Sequence, residues 1–168
     1  EAILDGEPVR LQAEGVEFLA IHTPASTAET LGGVILLHGM GAHPDWADVI
    51  HPLRVELPAR GWETLAIQLP VAPGGADAKA YASLIPEAGP RILAAVDFLN
   101  RQNINNPVLV GHSLGARMGL EFLAASPPAS IRAFAMLGLS TPPRPGNNPV
   151  LDAIGKLRLP VLDLYGSR

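Results

Sequence analysis

Val108-Leu109-Val110-Gly111-His112-Ser113-Leu114-Gly115 decides how the rest of the chain is read. A short apolar run meets Gly-x-Ser-x-Gly, and a helix-like segment follows. Strand, sharp turn and helix with a serine at the apex is the sequence form of a nucleophile elbow. The apex residue of such a turn is held in a strained backbone conformation that lifts its hydroxyl clear of the sheet. Gly111 and Gly115 flank it because Cβ atoms there would clash across so tight a turn. A helix starting near Leu114 aims backbone N–H groups at the space beside Ser113, where a developing oxyanion would sit. The bland alternative is a Gly-rich turn with an idle serine. The strand before the motif and the helix after it are what give it weight.

Towards the N-terminus, residues 33–38 (Gly-Val-Ile-Leu-Leu-His) form a continuous apolar run with no alternation. A strand covered on both faces reads this way, as in a parallel sheet between helices. It ends in His38-Gly39-Met40-Gly41. Residues 44–60 carry Trp46, Val49, Ile50, Leu53 and Leu57 at helical spacing, with Pro52 and Pro58 predicting a break. Residues 63–69 are the next buried strand, followed by a Pro/Gly-rich loop over 70–76. Residues 78–101 read as helical, interrupted in their first half by Pro86 and Pro90. Before all of this, residues 9–12 and 16–21 read as an antiparallel edge hairpin turning at Ala13-Glu14-Gly15.

Towards the C-terminus, residues 114–125 predict a helix that stops at Pro127-Pro128. Gly115 and Gly119, four apart, give it a face small enough to lie close to the sheet. Residues 131–139 read as a buried strand, 140–148 as a loop and 150–157 as a short helix. Residues 160–166 are a last strand. Strands alternating with helices predict an α/β domain: a three-layer sandwich with a doubly wound, mostly parallel sheet and an antiparallel start. Ligands of such sheets bind at the C-terminal ends of the strands. His38-Gly39-Met40-Gly41, the 70–76 loop and Ser113 all fall there.

Composition narrows the function classes. The 168 residues are 48% apolar and 17% charged, which is globular, and they suffice for one domain. The net charge of −4, with no basic stripe, argues against nucleic acid as a partner. No apolar run approaches a membrane span, and no signal peptide lies within these residues. The absence of cysteine removes disulfides, thiol nucleophiles and thiolate metal sites. His38, His43, His51 and His112 fit no metal-ligand spacing, so neither metal nor cofactor is expected.

With these landmarks in order, the chain resembles an α/β-hydrolase. His38-Gly39-Met40-Gly41 is similar to the family's His-Gly-x-Gly turn after the third strand. Gly111-His112-Ser113-Leu114-Gly115 matches its elbow. Leu159-Pro160-Val161-Leu162-Asp163-Leu164-Tyr165-Gly166 is similar to the strand that precedes its catalytic acid. More narrowly, Leu36-Leu37-His38-Gly39-Met40-Gly41-Ala42-His43-Pro44-Asp45-Trp46, with Gly61-Trp62 and Gln68-Leu69-Pro70, resembles a bacterial family of unknown function, DUF3530. Export signals usual in that family imply a periplasmic location.

The resemblance implies acyl transfer on a small-molecule ester, thioester or amide. Ser113 becomes the nucleophile, and the N–H groups of Met40 and Leu114 become oxyanion donors. His38 ties the turn to a neighbouring loop. Gly39 and His112 line the binding side of the site. The family's order is Ser, then Asp or Glu, then His, so the acid is expected just past Arg168 and the base further on. On this reading the chain is C-terminally incomplete, lacks the fold's last strand and helix, and is inactive alone. The bared edge of the last strand is expected to self-associate or pair with a following segment. A non-catalytic binding or scaffold protein is the alternative.

The remaining polar residues have plainer readings. His22 ends the edge hairpin and reads as a surface residue. His43 reads as a solvated loop histidine. Asp45 and Asp48 read as helix-capping residues. Arg117 reads as half of a surface salt bridge. Asp163, inside a strand that otherwise reads as buried, is an edge-facing or hydrogen-bonded carboxylate.

Overall fold

The computed structural model describes residues 5–125, 128–139 and 148–166. Seven strands form one sheet: β1 (Glu7–Ala13), β2 (Val16–Thr23), β3 (Gly32–Leu37), β4 (Trp62–Ile67), β5 (Pro107–His112), β6 (Ala133–Leu137) and β7 (Val161–Leu164). Their spatial order is β1-β2-β4-β3-β5-β6-β7. β1–β2 and β2–β4 pair antiparallel, and all other neighbours pair parallel. The antiparallel start, the parallel core and the double winding agree with the sequence pattern. The chain winds one way from β3 to β4 and then back across β3 from β4 to β5. The switch point therefore lies between β3 and β5, and ligands of such sheets bind at the C-terminal ends of the strands there.

Five helices complete the described chain: α1 (Ile50–Glu56), α2 (Ala78–Leu84), α3 (Ala88–Arg101), α4 (Leu114–Ala125) and α5 (Pro149–Lys156). β3 shows why its run does not alternate. Ile35 and Leu37 join the core under α3 and α4, while Val34 and Leu36 meet Ile50 of α1 on the other face. Both faces of that strand are dry, so both need apolar side chains. Each cluster excludes water over one face, and this burial is the main drive to the fold.

Prolines set the helix boundaries. Pro90 sits in the first turn of α3, where no backbone donor is needed. Pro86 lies in the 3₁₀ turn Ile85–Glu87 that separates α2 from α3. The predicted helix over 44–60 is shorter than its apolar spacing suggests. Residues 44–49 form turns, with the Trp46 N–H on the His43 carbonyl at 3.0 Å, and the helix begins only at Ile50. The loop predicted over 140–148 lies outside the described residues for all but Asn148. Asn148 caps α5, its side chain accepting from the Val150 N–H at 3.0 Å.

β7 departs from its interior reading. Val161, Leu162, Asp163 and Leu164 are all exposed. β7 is last in the sheet order, and no described element covers either of its faces. Asp163 is accordingly an exposed edge residue. Among the described residues, no helix is long and apolar enough to cross a membrane.

Candidate active site

The elbow is built by steric exclusion. The Ser113 N–H still bonds the Leu137 carbonyl across to β6 at 2.9 Å, while the Ser113 carbonyl accepts the Arg117 N–H at 3.2 Å. One residue thus closes the ladder and opens the helix, and its φ is +52°. That is left-handed backbone, which costs an L-residue energy. A Cβ on Gly111 would lie 2.6 Å from Ala116 Cα, and one on Gly115 would lie 2.5 Å from the His38 carbonyl oxygen. Neither position admits a side chain, because the obstacle is backbone in both cases. On Gly119 a Cβ would meet the Phe134 ring at 3.0 Å, so the small face of α4 does press on the sheet. Leu114 opens α4, and its N–H has no partner within the helix.

The turn after β3 is built by hydrogen bonds. Leu37 of β3 pairs with Gly111 of β5, which brings His38 beside the elbow. The buried His38 ring accepts the Leu69 N–H on Nε2 at 3.0 Å. A backbone amide can only donate, so Nε2 carries the lone pair and Nδ1 carries the proton. Nδ1–H donates to the Gly39 carbonyl at 2.9 Å. The Gln68 side-chain amide adds a second donor to Nε2 at 2.8 Å. Burial is the main reason the His38 pKa is lowered to about 4. Gly39 then passes close over the elbow: a Cβ there would sit 3.1 Å from His112 Nδ1 and 3.5 Å from Ser113 Cβ.

His112 lies between the two turns. Its Nδ1 is buried with no hydrogen-bond partner among the described residues. Met40 is largely exposed at the rim. A cavity of about 420 Å³, lined by His43, Asp45, Trp46, Ala47 and Asp48, opens directly downstream of the turn. A larger cavity of about 540 Å³ lies between β1 and α3, lined in part by Arg10, Leu93, Asp97 and Arg101. β2, β4 and β3 separate β1 from β5, so that cavity is remote from Ser113. Ser113 lines neither of these cavities.

Other polar residues settle elsewhere. His22 is buried, against its surface reading, with Nε2 2.5 Å from Glu63 Oε1 and its ring edge-on to Phe98. Strand alternation points it under α3, where only a paired polar group is tolerated. Asp45 caps no helix. Its Oδ1 accepts from Arg54 Nη2 at 2.6 Å and lies 2.8 Å from His51 Nδ1. Burial works to raise the Asp45 carboxyl, but the hydrogen bonds from His51 and Arg54 outweigh it and hold it below the usual carboxylate range. Arg54, fully buried, also reaches the Asp5 carbonyl and Thr23, which ties α1 to the edge hairpin. Asp48 is exposed and makes no cap, since α1 has no side-chain cap. His43 is exposed, stacked edge-on against Trp46. Arg117 pairs with Glu121 at 2.7 Å, as the spacing predicts.

A parallel-centred sheet with an antiparallel start, a left-handed serine after its middle strand and a glycine turn beside it define the α/β-hydrolase fold. Solved structures share it. The match to a cold-adapted esterase from an Arctic intertidal metagenomic library has a TM-score of 0.75 at 20% identity, covering 97% of this chain and 73% of that one. A Pyrococcus furiosus esterase matches with a TM-score of 0.68 at 16% identity, over 95% of this chain and 70% of that one. An epoxide hydrolase from Vigna radiata matches with a TM-score of 0.59 at 20% identity, over 86% of this chain and 42% of that one. No curated protein matches the sequence. The chain belongs to the DUF3530 family, described as a protein of unknown function, whose model matches residues 3–89 and 76–168.

Proposed function

We propose that this protein is a serine hydrolase that cleaves an ester, thioester or amide of a small molecule, with Ser113 as the nucleophile. The observation that carries the reading is Ser113, at φ +52° directly after β5 at the sheet's switch point. A left-handed serine is strained, and strain of this kind concentrates where a side chain must be presented. Two of the solved neighbours are named esterases, which supports a carboxylic acyl bond as the target.

In this mechanism Ser113 Oγ attacks the acyl carbon and gives its proton to a histidine base. The carbonyl electrons move to oxygen, which the N–H groups of Met40 and Leu114 stabilise. Collapse expels the protonated leaving group and leaves an acyl-serine, which water hydrolyses by the same route. No described residue is assigned as base or acid. The rings of His22, His38, His43 and His51 each bond groups other than Ser113. The neutral, doubly anchored His38 serves the turn and not proton transfer.

The test is a fluorophosphonate probe on the full-length protein. Labelling that disappears in Ser113→Ala supports the reading. Labelling that persists in that variant removes it, and no labelling at all favours a binding protein on this fold.

A further inference from the structure

We infer that Arg91 is a positioning residue that orients and polarises the Met40 N–H through a relay of two peptide groups and the His38 ring. The inference rests on reading that N–H as an oxyanion donor. Arg91 lies in the first turn of α3, its guanidinium 5.2 Å from the Phe18 ring centroid. Its Nη1 donates to the Gln68 carbonyl at 2.7 Å. The Gln68 carbonyl and the Leu69 N–H belong to one trans peptide plane, so they point in opposite directions. A carbonyl drawn to Arg91 therefore turns the Leu69 N–H the other way, onto His38 Nε2 at 3.0 Å.

The same logic repeats on the far side of the ring. His38 Nδ1–H holds the Gly39 carbonyl at 2.9 Å, and the Ala42 N–H holds it from a second direction at 3.2 Å. The Gly39 carbonyl and the Met40 N–H again share one planar unit. Fixing the carbonyl on His38 fixes the Met40 N–H pointing away from it. Every link runs donor to acceptor in one sense, from a guanidinium cation to the final N–H. Such aligned chains polarise each other, and the low dielectric around a buried ring strengthens them. Preorganised donors of this kind need no reorientation when charge develops.

Gln68 has a second part in the relay. Its side-chain amide bridges His38 Nε2 and the Leu69 carbonyl, at 2.8 and 3.1 Å, and so reinforces the lone-pair side of the ring. Arg91 is the one charged group in the chain of bonds, and it sits on a different element from every other member.

The full-length protein with Arg91→Met tests this, because methionine keeps the stem against Phe18 and removes the donor. The expected result is an upfield shift of the Leu69 and Met40 amide protons and of the His38 Nδ1 proton by NMR, with amides of α5 unmoved. Turnover of a p-nitrophenyl ester should fall about tenfold in kcat with KM within about twofold, less than the ~10²–10³ of losing an oxyanion donor outright. Arg91→Lys keeps the charge and should recover part of both. A folded Arg91→Met protein whose Met40 and His38 resonances do not move would overturn the relay. If Arg91→Met does not fold, Arg91→Lys decides on the same resonances, which must shift by a smaller amount. Ester hydrolysis that survives Ser113→Ala would instead sink the nucleophile reading, and the resonances would still judge the relay.

Discussion

The two turns that face each other across the switch point are rigid for opposite reasons. The elbow at Ser113 is held by the absence of side chains, since Gly111 and Gly115 let backbone press on backbone. The turn at Gly39 is held by a side chain, because the His38 ring donates from Nδ1 to the Gly39 carbonyl and is itself anchored through Nε2 on the Leu69 N–H. Steric fixation depends on neither pH nor salt. Hydrogen-bond fixation through an imidazole lasts only while the ring stays neutral. A site assembled from both is geometrically robust on one side and titratable on the other.

The largest effect should come from Gly115→Ala. The added methyl would press on the Leu37 and His38 carbonyls, and neither can yield without moving β3. A loss of about 3 kcal/mol or more is expected, read as a fall in the urea midpoint. A loss under about 1 kcal/mol would mean that α4 can lift off the sheet.

The other turn should break with acid. The His38 pKa is about 4 when folded and about 6.5 when unfolded. Between those values the unfolded chain binds the extra proton, so stability falls as pH drops through that window. The contribution of His38 is fully present above about pH 6.5. Roughly 3 kcal/mol is at stake by pH 4, at ~1.4 kcal/mol per pH unit. His38→Gln should flatten this part of the stability–pH curve, and an unchanged slope would assign the acid sensitivity elsewhere.

Relieving the elbow should help. Ser113→Gly removes left-handed strain of about 1–2 kcal/mol and adds unfolded-chain entropy of about 0.5–1 kcal/mol. A net gain below about 1 kcal/mol is expected by thermal melting, together with loss of probe labelling. A less stable variant would show that the serine side chain contributes to folding. The smallest effect should be Arg117→Ala, which breaks a surface pair at helical spacing. It should cost under about 0.5 kcal/mol and fade with added salt.

Much of the fold was legible because local patterns encode it. The unbroken apolar run of β3 announced two covered faces, and the Gly-x-Ser-x-Gly spacing pointed to Ser113, whose φ is +52°. Pro86 marked the break before α3, where a missing donor or a ring clash acts within one turn of chain. The His-Gly turn was legible as a motif, and the resemblance implied that His38 ties it to a neighbouring loop, but the groups that do the tying were not legible. Gln68, Leu69 and Arg91 carry no signal in the sequence that links them to His38, because a hydrogen-bond partner thirty residues away is chosen by strand order.

Two misread residues show the same boundary. His22 looked like the polar end of a hairpin, yet it is buried because β2 pairs with β4 and brings Glu63 within 2.5 Å. Asp45 looked like a helix cap, yet Arg54 and His51 claim it from α1 itself. The sequence by itself determined the alternation of elements, the dry faces of the central strands and the place of the strained serine, since each depends on neighbours a few residues apart. Only the tertiary structure decided which polar groups are paired and how the two turns meet, since those depend on contacts between residues far apart along the chain.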